Sequence, residues 1–230
     1  ADAANVFGAP TTQGYRAKHR IATFQDGEVA DEPNWAQAPG IAPGIWEEFS
    51  FEVREHVVPM VTQAGVFAGA KVDAGTRMLL DVLPDTIRGS VIDAGCGAGV
   101  IGIAAALSGA ARVTMIDANL LAVQAARENV RRLGLAGVDV VASDAYGALK
   151  VCRYDLIVSN PPFHRGKTVD LTVADRLIAG APAHLAPGGS LLIVANAFLS
   201  YGRHMDRVFG RVEVVAGTRQ YQVFRATEPR

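Results

Sequence analysis

Val91-Ile92-Asp93-Ala94-Gly95-Cys96-Gly97-Ala98-Gly99 passes from an apolar run of strand character into glycines at alternate positions. Glycine turns the backbone tightly and puts no side chain between main chain and ligand. The stretch therefore reads as a strand, a ligand-facing loop and the opening of a helix. Short apolar runs at about 90–94, 112–117, 138–142, 154–159 and 190–195 alternate with helical segments at about 98–109, 119–133 and 169–186. Strands alternating with helices build right-handed βαβ units on a parallel sheet. The fold class is α/β, a doubly wound and mostly parallel sheet.

The helix at 119–133 has Asn119 as its cap, Leu121, Ala125, Val130 and Leu133 near one stripe, Arg131 and Arg132 at its negative end, and Gly134 after it. In the segment 169–186, Pro182 lacks a backbone donor and is expected to kink or break the last turn. Upstream, Phe49, Phe51 and Val53 alternate with Glu52 and Arg54, which predicts a strand and a hairpin ahead of the main fold. Asp73 caps a short helix that Pro84 closes. After Ala195 come a short helix near 203–209 and strands at about 211–216 and 220–226. These strands are joined at Gly217-Thr218 and expected to pair antiparallel only with each other. Residues 1–48, with Pro10, Pro33, Pro39 and Pro43, read as an irregular arm anchored in part by Phe24, Trp35 and Trp46, and 49–230 as the domain.

Composition narrows the function classes. A length of 230 residues suits one large domain, and 50% hydrophobic with 20% charged residues excludes a disordered or fibrous chain. No apolar run approaches the roughly 20 residues of a membrane-spanning helix, and no secretory signal is visible, so a cytoplasmic location is expected. Cys96 and Cys152 are far from metal-ligand spacings and are expected to be free thiols, with no metal site. Residues 1–48 carry three basic and seven acidic side chains and 49–230 carry nineteen and sixteen, so the main body is only faintly basic. Charge alone does not select a nucleic-acid substrate. The small cluster Arg16, Lys18, His19 and Arg20 reads as solvated surface rather than a phosphate contact.

An NAD loop would need G-x-G-x-x-G, but position 100 is valine, and Asp93 upstream of the glycines would repel a pyrophosphate. A carboxylate there suits a cofactor with a cationic amino-acid end, reached directly or through water, and S-adenosylmethionine has such an end. Gly95 and Gly97 would let it approach. Asp117, at the end of the next strand, can accept both ribose hydroxyls, and Asp144 can accept the adenine amino group while a backbone N–H at Ala145 meets a ring nitrogen. Taken singly, each Asp reads equally well as a cap or turn residue. Their placement after successive strands favours one crevice.

The strand Tyr154–Ser159 runs into Asn160-Pro161-Pro162-Phe163. Pro161 and Pro162 have no backbone donor, so this tip offers acceptors. The Asn160 side-chain oxygen and the Pro161 carbonyl can accept both hydrogens of a planar aromatic amine, freeing its lone pair for in-line attack on a sulfonium methyl. Asn160 takes up no proton at neutral pH, so its role is electrostatic and orienting. Phe163 would stack on the base. His164, Arg165 and Lys167 follow, and read equally well as lining of the substrate entrance or as exposed loop residues without a role.

The joint pattern resembles the class I S-adenosylmethionine-dependent methyltransferases, and among them the bacterial 16S rRNA guanine-N2 methyltransferases. The resemblance spans about residues 49–227. It rests on Gly65-Val66-Phe67, Asp73-Ala74-Gly75-Thr76, Val91–Gly99, Asn160–Gly166, and Val194 through Leu199 to Tyr201. It implies a Rossmann-like, seven-stranded sheet with the last strand reversed, S-adenosylmethionine as cofactor, and 16S rRNA or the 30S subunit as partner. Many such proteins carry two tandem domains, whereas this chain has room for one, and many have Lys where Gln222 stands. Two other functions compete: a small-molecule N-methyltransferase, and a non-catalytic cofactor- or partner-binding domain.

Overall fold

The computed structural model describes residues 44–150, 152–162, 164–165, 169–170, 172–199 and 201–230, with two strands at 11–16 and 19–23. Those strands, β1 (Thr11–Arg16) and β2 (His19–Thr23), pair antiparallel with an irregularity between Thr12 and Gly14. The segment read as an irregular arm thus holds a hairpin, and its strands are too short and polar to show an apolar alternation. A second hairpin joins β3 (Glu47–Val53) to β4 (His56–Thr62), burying Phe51, Val53, Val58 and Met60 as the alternation predicts.

Helix α1 (Ala74–Val82) starts at Asp73, whose side chain accepts from the amides of Gly75 and Thr76, and Leu83 follows its last residue, ahead of Pro84. The doubly wound part comprises β5 (Ser90–Ala94), α2 (Val100–Leu107), β6 (Arg112–Asp117), α3 (Leu120–Arg132), β7 (Val138–Ala142) and β8 (Tyr154–Ser159). After β8 come the two-residue strands β9 (His164–Arg165) and β10 (Val169–Asp170), then α4 (Thr172–His184) and β11 (Leu185–Asn196). Helix α4 continues through Pro182 for two residues instead of breaking. So close to the end, the missing donor costs little helical structure. The last elements are α5 (Tyr201–Met205), β12 (Phe209–Gly217) and β13 (Tyr221–Pro229).

The strand order of the large sheet is β12-β13-β11-β8-β5-β6-β7, seven strands with β13 alone reversed. Strand β13 therefore pairs with β11 as well as β12, where a hairpin pairing only with itself was expected. Burial explains the difference: Val223 and Ala226 of β13 are fully covered, so it takes the interior place, and the more exposed β12 takes the edge. From β5 the chain winds out through β6 and β7, then returns to β8 on the other side of β5. That reversal opens a crevice beyond the carboxyl ends of β5 and β8.

The central parallel strands β5, β6, β8 and the second half of β11 are buried on both faces, as the covered interior of a parallel sheet must be, while the edge strand β7 is partly exposed. Alternate side chains of β5 serve opposite layers: Val91 packs with α1, α2 and the β3–β4 hairpin, while Ile92 and Ala94 pack with α4 and β11. Asn129 of α3 ties the hairpin down. Its Oδ1 accepts from Val61 N, and its Nδ2 donates to the carbonyls of Val61 and Ala98. Among the described residues no helix is long and apolar enough to cross a membrane.

Candidate functional site

The glycine loop is shaped by its neighbours on β6. The amides of Gly95 and Cys96 donate to the Ile116 carbonyl at 2.8 and 3.0 Å, bending the chain back as β5 ends. Gly97 N donates to Asp117 Oδ2 at 2.9 Å, and Asp117 Oδ1 accepts from Asn119 N at 2.8 Å. Gly95 and Gly97 have φ of +75° and +56°, and nothing stands within 4 Å of where a Cβ would project. The loop is thus held in a form that favours glycine, against open space. An open crevice lies in front of it, with Asp117, Asp144, Ala145, Asn160 and Pro162 in its lining.

Asp93 is not among the residues that line the crevice. It shares the face of β5 with Val91 and lies wholly inside the domain, behind the crevice. Its Oδ2 accepts from Gly102 N at 2.8 Å, so it caps α2, whose own N-cap residue Gly99 has no side chain to do so. Oδ1 is buried without a hydrogen-bond partner. Burial pushes the carboxyl up to about 7, opposed by the Gly102 hydrogen bond and reinforced by the Asp117 charge.

Asp144 sits in the turn after β7 and pairs with Arg176 of α4 at 2.6 Å; both side chains are largely solvated. Ala145 beside it has φ of +47°, in a turn where Ser143 Oγ donates to the Ala145 carbonyl. Arg176, in the crevice lining, was missed by sequence reasoning because nothing in a helical pattern distinguishes it from a surface arginine.

At the tip of β8, Ser159 Oγ donates to the Ala94 carbonyl at 2.7 Å, locking the ends of β8 and β5 together. Asn160 follows. Its Nδ2 donates to Asp73 Oδ2 at 2.7 Å and to Thr76 Oγ1 at 2.9 Å. Asp73 was legible only as a helix cap; its contact with Asn160, 87 residues away, was not. Pro161 is buried and Pro162 lines the crevice. Phe163, Lys167 and the side chains of His164 and Arg165 lie outside the described residues. Phe67, from the Gly65-Val66-Phe67 stretch, stands 57% exposed at the crevice wall. Cys96 and Cys152 are free thiols.

Comparison with known proteins gives three findings. The sequence model of the methyltransferase small domain family matches residues 57–225. Relatives named ribosomal RNA small subunit methyltransferase C are similar to it. The one from Serratia proteamaculans is 40% identical over 186 residues, covering 80% of this chain and 52% of that protein. The one from Klebsiella pneumoniae is 42% identical over 185 residues, with the same coverage. The chain thus spans about half the length of the curated relatives it matches. Among solved structures, a T. thermophilus 16S rRNA N2 methyltransferase in complex with AdoMet and guanosine superposes with a TM-score of 0.85 at 27% identity, covering 99% of this chain and 60% of that one. A ribosomal protein L11 methylase from Lactobacillus delbrueckii, 17% identical with a TM-score of 0.56 and covering 78% of this chain and 99% of that one, shares the fold.

Proposed function

The chain belongs to the methyltransferase small domain family, and on that premise we propose that it transfers a methyl group from S-adenosylmethionine to an exocyclic amine, guanine N2 of 16S rRNA. The residues present fit that cofactor. The space before Gly95 and Gly97 is open where any other residue would place a Cβ. Each oxygen of Asp117 accepts one backbone N–H and keeps a further acceptor site for a ribose hydroxyl. Asp144 is charge-paired with Arg176 through Oδ2, leaving Oδ1 for an adenine amino group. The unpartnered Oδ1 of Asp93 suits an ammonium group, through water given its depth.

When bound, S-adenosylmethionine supplies an electrophilic methyl on its sulfonium. The protein's part is to hold the amine against it. The Asn160 Oδ1 and the Pro161 carbonyl accept the two amine hydrogens, drawing the nitrogen lone pair out of conjugation and aiming it along the line of transfer. As the nitrogen–carbon bond would form, the sulfur–carbon bond would break and leave a neutral thioether, and the methylated nitrogen would give one proton to solvent water, since the Asn160 amide takes up none. From the sequence, Phe163 would be the residue to stack on the base, and His164, Arg165 and Lys167 those to meet the RNA at the entrance. Ribosomal RNA as substrate puts the work in the cytoplasm.

The observation that carries this reading is the Asn160 amide, with both hydrogens committed to Asp73 and Thr76 and its oxygen not used in those bonds. Labelled S-adenosylmethionine offered with unmethylated 30S subunits, naked 16S rRNA and small aromatic amines tests it. Label at guanine N2 in RNA is expected, and Asn160→Ala should keep cofactor affinity while losing transfer. Label confined to small amines would overturn the RNA assignment.

A further inference from the structure

Asn and its mirror arrangement, with oxygen and nitrogen exchanged, have almost the same shape, so only hydrogen-bond partners decide which end of the amide faces a ligand. We propose that Asp73 and Thr76 are positioning residues that fix the Asn160 amide with its oxygen toward the substrate amine. The inference rests on the proposed reaction.

The two oxygens of Asp73 have separate work. Oδ1 accepts from Gly75 N at 2.5 Å and Thr76 N at 3.1 Å, which is the helix cap. Oδ2 accepts from Thr76 Oγ1 at 3.1 Å and Asn160 Nδ2 at 2.7 Å, which has no bearing on the cap. Because the Thr76 hydroxyl gives its hydrogen to Asp73, it meets Asn160 Nδ2 as an acceptor. Both neighbours of the amide therefore present lone pairs. Turned over, Asn160 would set its oxygen against a carboxylate and a hydroxyl with no hydrogen to offer, and would point N–H groups at an amine that itself must donate. The carboxylate also polarises the amide, raising negative charge on the oxygen as positive charge develops on the attacking nitrogen. Gly75 is what lets the strand tip and the helix come this close: a Cβ there would stand 3.3 Å from Asn160 Oδ1 and 3.2 Å from Asp73 Oδ1.

Asp73→Asn separates positioning from capping. Asn is as good an N-cap as Asp, so α1 keeps its start, but the variant can set a donor against Asn160 Nδ2 and admit the overturned amide. The expected result is a fall in kcat of about tenfold to a hundredfold, the worth of one charge-assisted hydrogen bond. KM for RNA, cofactor Kd and Tm should stay close to those of the parent. Asn160→Asp alone opposes two carboxylates. Asp73→Asn/Asn160→Asp restores a donor between them and should be the more active of the two. Side-chain amide NMR gives a readout independent of turnover: the Asn160 Nδ2 hydrogens should be protected from exchange in the parent and lose that protection in Asp73→Asn. Unchanged kcat and unchanged protection in Asp73→Asn would overturn the positioning role, as would a double variant no better than Asn160→Asp. A parent protein that methylates no guanine, with Asn160 still protected, would count against the proposed reaction and leave the hydrogen-bond assignment standing.

Discussion

Replacing Asp93 by Asn should free the fold from a cost that grows with pH. Burial pushes the carboxyl up to about 7 in the folded protein, against 3.8 for an unperturbed group, because it lies away from bulk solvent and only one of its oxygens has a donor in the protein. A raised folded pKa means that the native state holds the proton more tightly than the unfolded chain does. The stability from that proton is complete below pH 3.8, declines as the pH rises above it, and is gone above about 7. At about 1.4 kcal/mol per unit, the span of roughly three units corresponds to ~4 kcal/mol, a large share of the 5–15 kcal/mol typical of a domain. Asp93→Asn keeps an oxygen for Gly102 N and removes the titration. Urea unfolding of both proteins between pH 4.5 and 8.5 tests this, because the difference between the curves cancels the other titrating groups. The parent should lose ground to the variant up to about pH 7 and then run parallel to it. A difference flat across that range would refute the placement of this carboxylate. A cationic ligand that favours the charged form should release protons on binding near pH 7. Calorimetry of S-adenosylmethionine binding in buffers of different ionisation heat reads that release, and proton uptake would contradict it.

Gly97→Ala should cost about 1–2 kcal/mol for a side chain at positive φ and place a methyl in the cofactor's space, lowering S-adenosylmethionine affinity at least about tenfold by calorimetry. Asn129→Ala leaves Val61 N and the carbonyls of Val61 and Ala98 without their partner, and should destabilise by about 2–4 kcal/mol in denaturant titrations. Arg176→Ala removes an ion pair whose partners are both well solvated, so Tm should move by no more than about 2–4 °C. A larger fall would mean that the docking of α4 depends on it.

Much of this site could be read along the chain. The strand that ends in Asp117 and the one that leads into Asn160 declare themselves by short apolar runs, the loop by its glycines, and the caps at Asp73 and Asn119 by residue type and position. These features are set by residues close in sequence, and local periodicity reports them faithfully. Other features were not legible. The hairpin at 11–23 has strands too short and polar to stand out, and the interior place of β13 depends on which of two similar strands is better buried. Arg176 reaches Asp144 from a helix 32 residues on.

Asp93 and Asp73 show the division most clearly. The sequence by itself determined that acidic side chains stand at the glycine loop and at the start of α1, and that βαβ winding brings the strand ends to one crevice. Only the tertiary structure decided where those carboxylates point. Alternation along β5 turns Asp93 beneath α2, and the approach of α1 to the tip of β8 hands one oxygen of Asp73 to Asn160. A side chain's type is a property of its position in the chain. Its hydrogen-bond partner is a property of the packing between elements far apart in that chain, where burial removes water as the alternative.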